Sequence, residues 1–166
     1  MSFLFYNSCI MSDFARPVVE TLHASGLDPE QFVVMGGGAL ALHGMREAHD
    51  VDLLVNPGLF RELVEAGQTP AGIPLEHKDA GILDFRLLTP KPDTGGRLRL
   101  DLNSISGYGN YRRFGEYREA AEIYEHSGLR ICFTSLTNLL VEKAHSWRPK
   151  DRRDARRIRK LLAAAA

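Results

Sequence analysis

The sequence predicts an α+β fold with a mixed sheet flanked by helices and ending in a short helical segment. Three observations carry this. Short apolar runs at 32–35 and 51–55 are bounded by glycine and proline, as buried strands are. Residues 98–102 alternate strictly, with Leu98, Leu100 and Leu102 on one side and Arg99, Asp101 and Asn103 on the other. Both ends of the chain carry the three-to-four-residue apolar spacing of helices.

In order, residues 12–25 predict a helix with Phe14, Val18 and Leu22 on one face, capped by Ser12 or Asp13 and stopped at Gly26. Phe32–Met35 predicts a strand that ends on Gly36, Gly37 and Gly38. Ala39–His43 suits a brief helix closed by Gly44. Val51–Val55, entered through Asp50 and left through Asn56-Pro57-Gly58, predicts a second strand, and Leu59–Glu65 a short helix. Ile82–Leu88 and Leu98–Leu102 predict two more strands, separated by the turn-rich stretch Pro90–Gly96. Ser104–Gly115, with its glycines, Tyr108 and Tyr111, suits a loop. Glu122–Glu125 and Leu129–Phe133 flank His126-Ser127-Gly128 as a hairpin. Two helices follow, about 136–146 and 151–163, split at Arg148-Pro149. The sum is an α+β arrangement.

The chain has 166 residues, 44% hydrophobic and 25% charged, a composition that excludes disordered and membrane-embedded classes. It reads as a single unit over 1–166, with a core of about 12–133 and terminal helices of about 135–163. Basic and acidic residues total 21 each, so net charge gives no hint of a partner. Cys9 and Cys132 make neither a disulfide framework nor a cysteine metal site, and reduced thiols are expected. Met1–Ile10 lacks a basic leader, and no run has the length of a membrane span. A cytoplasmic protein without membrane contact is therefore expected.

Three features carry chemistry. Gly36-Gly37-Gly38 lies between a strand and a helix, where glycine lets backbone N–H groups turn toward an anion. By itself such a turn is more often only a turn. Asp50 and Asp52 stand two apart on a strand and share a face, about 6.5–7 Å between Cα atoms. Paired in that way they can share hard divalent cations, whereas without a cation they repel. Asp101, on the polar side of a later strand, would add the further carboxylate that a two-metal phosphoryl-transfer site needs. It would also stand where a base takes a proton from an attacking hydroxyl.

Together these residues resemble the signature of the DNA polymerase β-type nucleotidyltransferases: a strand, a Gly-Gly turn, about a dozen residues, then Asp-x-Asp on the next strand. The resemblance is closest to the minimal and AbiEii-like nucleotidyltransferases, many of them toxin components of toxin–antitoxin pairs. The run Arg46-Glu47-Ala48-His49-Asp50-Val51-Asp52 is similar to that family's Arg-x-Thr-x-Asp-x-Asp, with Ala48 in place of the threonine. Lys143, Arg148-Pro149-Lys150-Asp151 and Asp154 resemble its C-terminal helical segment. The likeness covers roughly residues 31–160.

The resemblance implies a nucleotidyltransferase-type sheet and transfer of a nucleoside monophosphate from an NTP to a hydroxyl, with pyrophosphate leaving. It implies that Asp50, Asp52 and Asp101 bind Mg²⁺ or Mn²⁺. It further implies that Gly36, Gly37, Gly38, Arg46 and Lys143 contact the nucleotide. The acceptor would be RNA, tRNA or a protein, and an antitoxin protein would be a partner. Two rival readings share the motif: an antibiotic-modifying small-molecule nucleotidyltransferase, and a catalytically silent binding module.

Other residues have bland readings beside the sharp ones. Lys143 on an amphipathic helix suits an exposed lysine, and Asp151 and Asp154 suit a cap and a first-turn charge that favour the helix dipole. His49 adjoins Asp50 in sequence. Trp147, Tyr108 and Tyr111 could stack on a base, but packing in the core or a loop is the more frequent fate of such residues and is expected here. Residues 148–160 hold eight basic against two acidic residues, a local net charge of +6. That density suits a phosphate backbone such as RNA, although a helix is not expected to bring all eight to one face.

Overall fold

The computed structural model describes residues 11–79, 85–92, 97–104 and 114–166. The expectations for Met1–Ile10 with Cys9, for 82–84, for 93–96 and for the loop with Tyr108 and Tyr111 concern residues outside those described. The architecture is α+β, a seven-stranded mixed sheet with helices on both faces.

Helix α1 (Ala15–Ser25) starts where the Ser12 hydroxyl accepts the Ala15 N–H at 3.1 Å. It ends on Gly26 at φ 69°, the left-handed conformation that closes helices. Val18 and Leu22 are buried as the spacing predicts, but Phe14 is 39% exposed because the helix begins one residue after it. Strand β1 (Phe32–Met35) runs directly into α2 (Gly36–Leu42), so the glycines are the first turn of a helix rather than a separate loop. Strand β2 (Asp50–Val55) pairs antiparallel with β1 and leads into α3 (Pro57–Ala66), whose cap is the Asn56 side chain accepting the Gly58 N–H.

Strand β3 (Glu76–Asp79) is short and polar, and no apolar pattern announces it. It lies on the sheet edge, where a strand needs no buried face. Strands β4 (Phe85–Leu88) and β5 (Arg99–Asn103) follow, then helix α4 (Phe114–Glu119), which begins within the stretch expected to be loop. The hairpin of β6 (Glu122–His126) and β7 (Leu129–Phe133) turns through Ser127 and Gly128, both at positive φ. Helices α5 (Leu136–Ala144) and α6 (Pro149–Ala164) close the chain, with Pro149 at the first helical position, where its missing N–H is harmless.

The sheet order is β3-β4-β5-β2-β1-β7-β6. Strand β5 lies parallel to β2 in the middle of the sheet, and β7 parallel to β1. Alternation along the central strands divides the interior into two layers. Phe32, Val34, Val51, Leu53, Leu100 and Leu102 share the main core with Val18 and Leu22 of α1. Val33, Met35 and Leu54 turn to the other face, where Tyr117 of α4 covers them. Asp50, Asp52 and Asp101 alternate with the main-core residues, so they belong to this second face. His43, at the end of α2, ties that helix to the sheet through the Thr134 carbonyl at 2.9 Å, and burial lowers its pKa to about 4.

Among the described residues, no helix is long and apolar enough to cross a membrane.

Candidate active site

Strand register assembles the site. In the antiparallel β1–β2 pair, Met35 sits opposite Asp52, which places Gly36 beside the Asp52 side chain. Gly36 has φ +51°, and a Cβ there would lie 2.8 Å from Asp52 Oδ2. Glycine is therefore required twice at this position, by conformation and by space. In the parallel β2–β5 pair, Asp52 sits opposite Asp101 and Asp50 opposite Arg99. Like charges directly across a ladder are unfavourable unless something compensates them.

Compensation is partial. Asp101 Oδ2 is 3.5 Å from Arg86 Nη1, and its Oδ1 accepts from Asn103 Nδ2 at 3.2 Å. Asp50 lies 4.0 Å from the Arg99 guanidinium. Burial, then the charges of Asp50 and Asp101, push the Asp52 carboxyl up to about 7 against the pull of Arg86 and Lys143. Burial also raises Asp101, opposed by Arg86 and Asn103. Among the described residues no three acidic, histidine or cysteine side chains already close on one point as a cation cage. The donor set is nonetheless all carboxylate, which suits a hard divalent ion.

On the other side of the cleft, α5 and α6 contribute a compact ionic cluster. Asp151 is 0% exposed and accepts from Lys143 Nζ, Ser146 Oγ and Arg148 Nε, each at 2.6 Å. Asp154 accepts two parallel bonds from Arg46, from Nε at 3.0 Å and Nη2 at 2.9 Å, with Lys143 Nζ 3.5 Å away. Burial alone would raise Asp151, but the bonds from Lys143, Ser146 and Arg148 bring it down to about 2. Asp154 is likewise raised by burial and lowered further by Arg46 and Lys143, the net direction being down. Asp151 does lie in the first turn of α6, as the sequence suggested, but neither carboxylate caps the helix and both are buried clamps. Lys143 is correspondingly buried rather than an exposed lysine.

One cleft is lined by Gly36, Gly37, Arg46, Asp50, Asp52, Asp101 and Lys143, and His49 also reaches it. Of the residues singled out from sequence, Gly38 alone lies elsewhere. It is buried in α2, and a Cβ on it would come within 2.9 Å of Val34 Cγ1, so it is a packing glycine. A Cβ on Gly37 would meet the Arg46 guanidinium at 3.5–3.6 Å, an ordinary contact distance, so Gly37 lies against Arg46 without being required by space. Sequence reasoning missed Arg86 and Arg99, and it placed Arg148 and Lys150 only in the basic C-terminal segment; all four line the cleft. Arg99 carried a signal, since it shares the polar side of β5 with Asp101. Arg86 carried none, because only the pairing of β4 with β5 brings it there. Trp147, expected to pack, is 86% exposed.

Comparison of the chain with protein-family models, with curated proteins and with solved structures gives no match.

Proposed function

We propose that the chain is a metal-dependent nucleotidyltransferase that moves a nucleoside monophosphate from an NTP to a hydroxyl acceptor. The observation that carries this reading is the meeting of Asp50, Asp52 and Asp101 from two parallel strands at a cleft rimmed by cations. Three mutually repelling carboxylates at one place cost stability, and a bound divalent cation offsets that cost. Asp50, Asp52 and Asp101 would hold Mg²⁺ or Mn²⁺, which when bound neutralises the triphosphate.

The chain's own residues do the rest. Gly36 and Gly37 leave the backbone open beside the carboxylates, and Arg46, Arg99 and Lys143 supply positive charge for the phosphates. Asp101, its basicity raised by burial, takes the proton of the acceptor hydroxyl. The acceptor oxygen bonds to the α-phosphorus, the bond from that phosphorus to the α–β bridging oxygen breaks, and pyrophosphate leaves. RNA, tRNA or a protein is the acceptor class in this reading, and an antitoxin partner belongs to the same proposal.

The test is incubation with each α-labelled NTP, Mg²⁺ and total bacterial RNA, beside Asp52→Ala. Label on RNA or on protein with the native chain, reduced at least about 10²–10³-fold in the variant, is the expected result. Equal labelling by both would overturn it. Arg86 and Arg99 already sit against Asp101 and Asp50, and this favours one second reading, a silent nucleotide-binding module. Nucleotide binding without any divalent-dependent turnover would select that module.

A further inference from the structure

Helix α6 has an outer surface of a single sign. At about 100° per residue, Arg152, Arg153, Arg156, Arg157, Arg159 and Lys160 fall within an arc of roughly 160°. All six are exposed, whereas Asp151, Asp154, Ala155 and Ile158 are buried on the opposite side. The helix's two acidic residues are thus turned inward onto Lys143 and Arg46, and nothing negative remains on its outer face. As the sequence suggested, not all eight basic residues share this face: Lys150 and Arg148, which precedes the helix, line the cleft.

Trp147 stands at the head of this surface. It is the chain's only tryptophan and is 86% exposed. The Arg152 guanidinium carbon lies 5.8 Å from its ring centroid, a cation–π distance. A wholly exposed indole braced by an arginine, next to a row of cations, has the two parts that single strands need. Those parts are a π-surface for an unpaired base and positive charge along the backbone.

We propose that Trp147 and the outer face of α6 form a docking surface for single-stranded nucleic acid, which runs from the cleft edge at Arg148 and Lys150 along about 18 Å of helix to Lys160. A duplex would satisfy the cations but leave the indole unused, and so would an acidic peptide. This surface rests on the nucleotidyl-transfer reading only in that the strand's end would be the acceptor brought to the cleft. Binding itself needs neither NTP nor metal.

The test uses the full chain in EDTA without NTP, so that it fails or succeeds independently of the catalytic reading. Twelve-nucleotide uridine and thymidine oligonucleotides, a twelve-base-pair duplex and poly-glutamate are titrated, with Trp147 emission and the anisotropy of labelled oligonucleotide as readouts. Single strands are expected to quench Trp147 and to bind more tightly than the duplex. Tighter binding of uridine than of thymidine assigns the strand as RNA, the reverse as DNA. Trp147→Ala should weaken binding by about 5–100-fold and Trp147→Phe should restore most of it. Replacing Arg152, Arg156 and Arg159 together by Ala should make the slope of log affinity against log salt shallower by about 2. The proposal is overturned by an absence of quenching, by unchanged affinity in Trp147→Ala, or by poly-glutamate competing as well as the oligonucleotides.

Discussion

Two sets of aspartates lie on either side of one cleft, and Asp52 of the first and Asp151 of the second are shifted in opposite directions. On the sheet side, Asp52 has carboxylates for neighbours and is pushed up to about 7. On the helix side, Asp151 is wholly buried, yet three donors bring it down to about 2. Desolvation raises both, so burial is not what separates them. The difference lies in what the fold supplies next to each carboxylate. Asp151 and Asp154 receive Lys143, Ser146, Arg148 and Arg46 and become a clamp that fixes α6 to α5 and to the segment before β2. Asp50, Asp52 and Asp101 face one another across the ladder, with Arg86 at 3.5 Å and Arg99 at 4.0 Å compensating them only in part. The first set is held by hydrogen-bonded cations, and the second is only partly compensated.

This contrast can be broken by mutation. Asp151→Ala leaves the Lys143 ammonium buried with only Asp154 nearby, and should cost about 3–5 kcal/mol of stability in denaturant unfolding. Asp52→Ala should leave stability unchanged or raise it, since it removes repulsion. Equal losses for the two variants would erase the distinction between clamp and ligand site.

Acid titration of the metal-free protein sharpens it. Asp52 has a folded pKa above its ordinary 3.8, so its favourable contribution is complete below 3.8 and is lost as pH rises through about 7, on the order of 4 kcal/mol. Asp151 works in reverse. Its contribution is present above 3.8 and is lost as pH falls toward 2, about 2 kcal/mol. Asp52→Asn should therefore flatten the stability profile between pH 4 and 7, and Asp151→Asn the limb below pH 4. Unchanged profiles would show that other groups dominate both limbs.

The smallest effect concerns Arg86, which lies 3.5 Å from Asp101 and competes with any cation for that carboxylate. Arg86→Ala should tighten Mn²⁺ binding, followed by electron paramagnetic resonance, by about 2–5-fold, the worth of one partly exposed ion pair. Weaker binding in the variant would mean that Arg86 supports the carboxylate instead of blocking it.

What the sequence by itself determined is local. The glycine turn after β1, the pair Asp50 and Asp52 on one side of a strand, the polar side of β5 carrying Asp101 and the split before Pro149 all follow from spacing and from the dihedral preferences of glycine and proline. These are properties of neighbouring residues, so a chain read in one dimension displays them. Edge strand β3 and helix α4 lack an apolar period strong enough to read, and their pairing and packing decide them. Everything that depends on two distant segments waited for the tertiary structure. The parallel register of β2 on β5 sets Asp52 against Asp101, and the pairing of β4 with β5 adds Arg86. The packing of α2 turns Gly38 into the core and leaves Gly36 at the carboxylate. The docking of α6 on α5 and Arg46 buries Asp151 and Asp154, and by drawing both acids inward it leaves six basic residues alone on the outside. The physical reason is the same throughout. Conformational preference is written residue by residue, but burial and charge compensation are fixed only when segments far apart in the chain come to lie side by side.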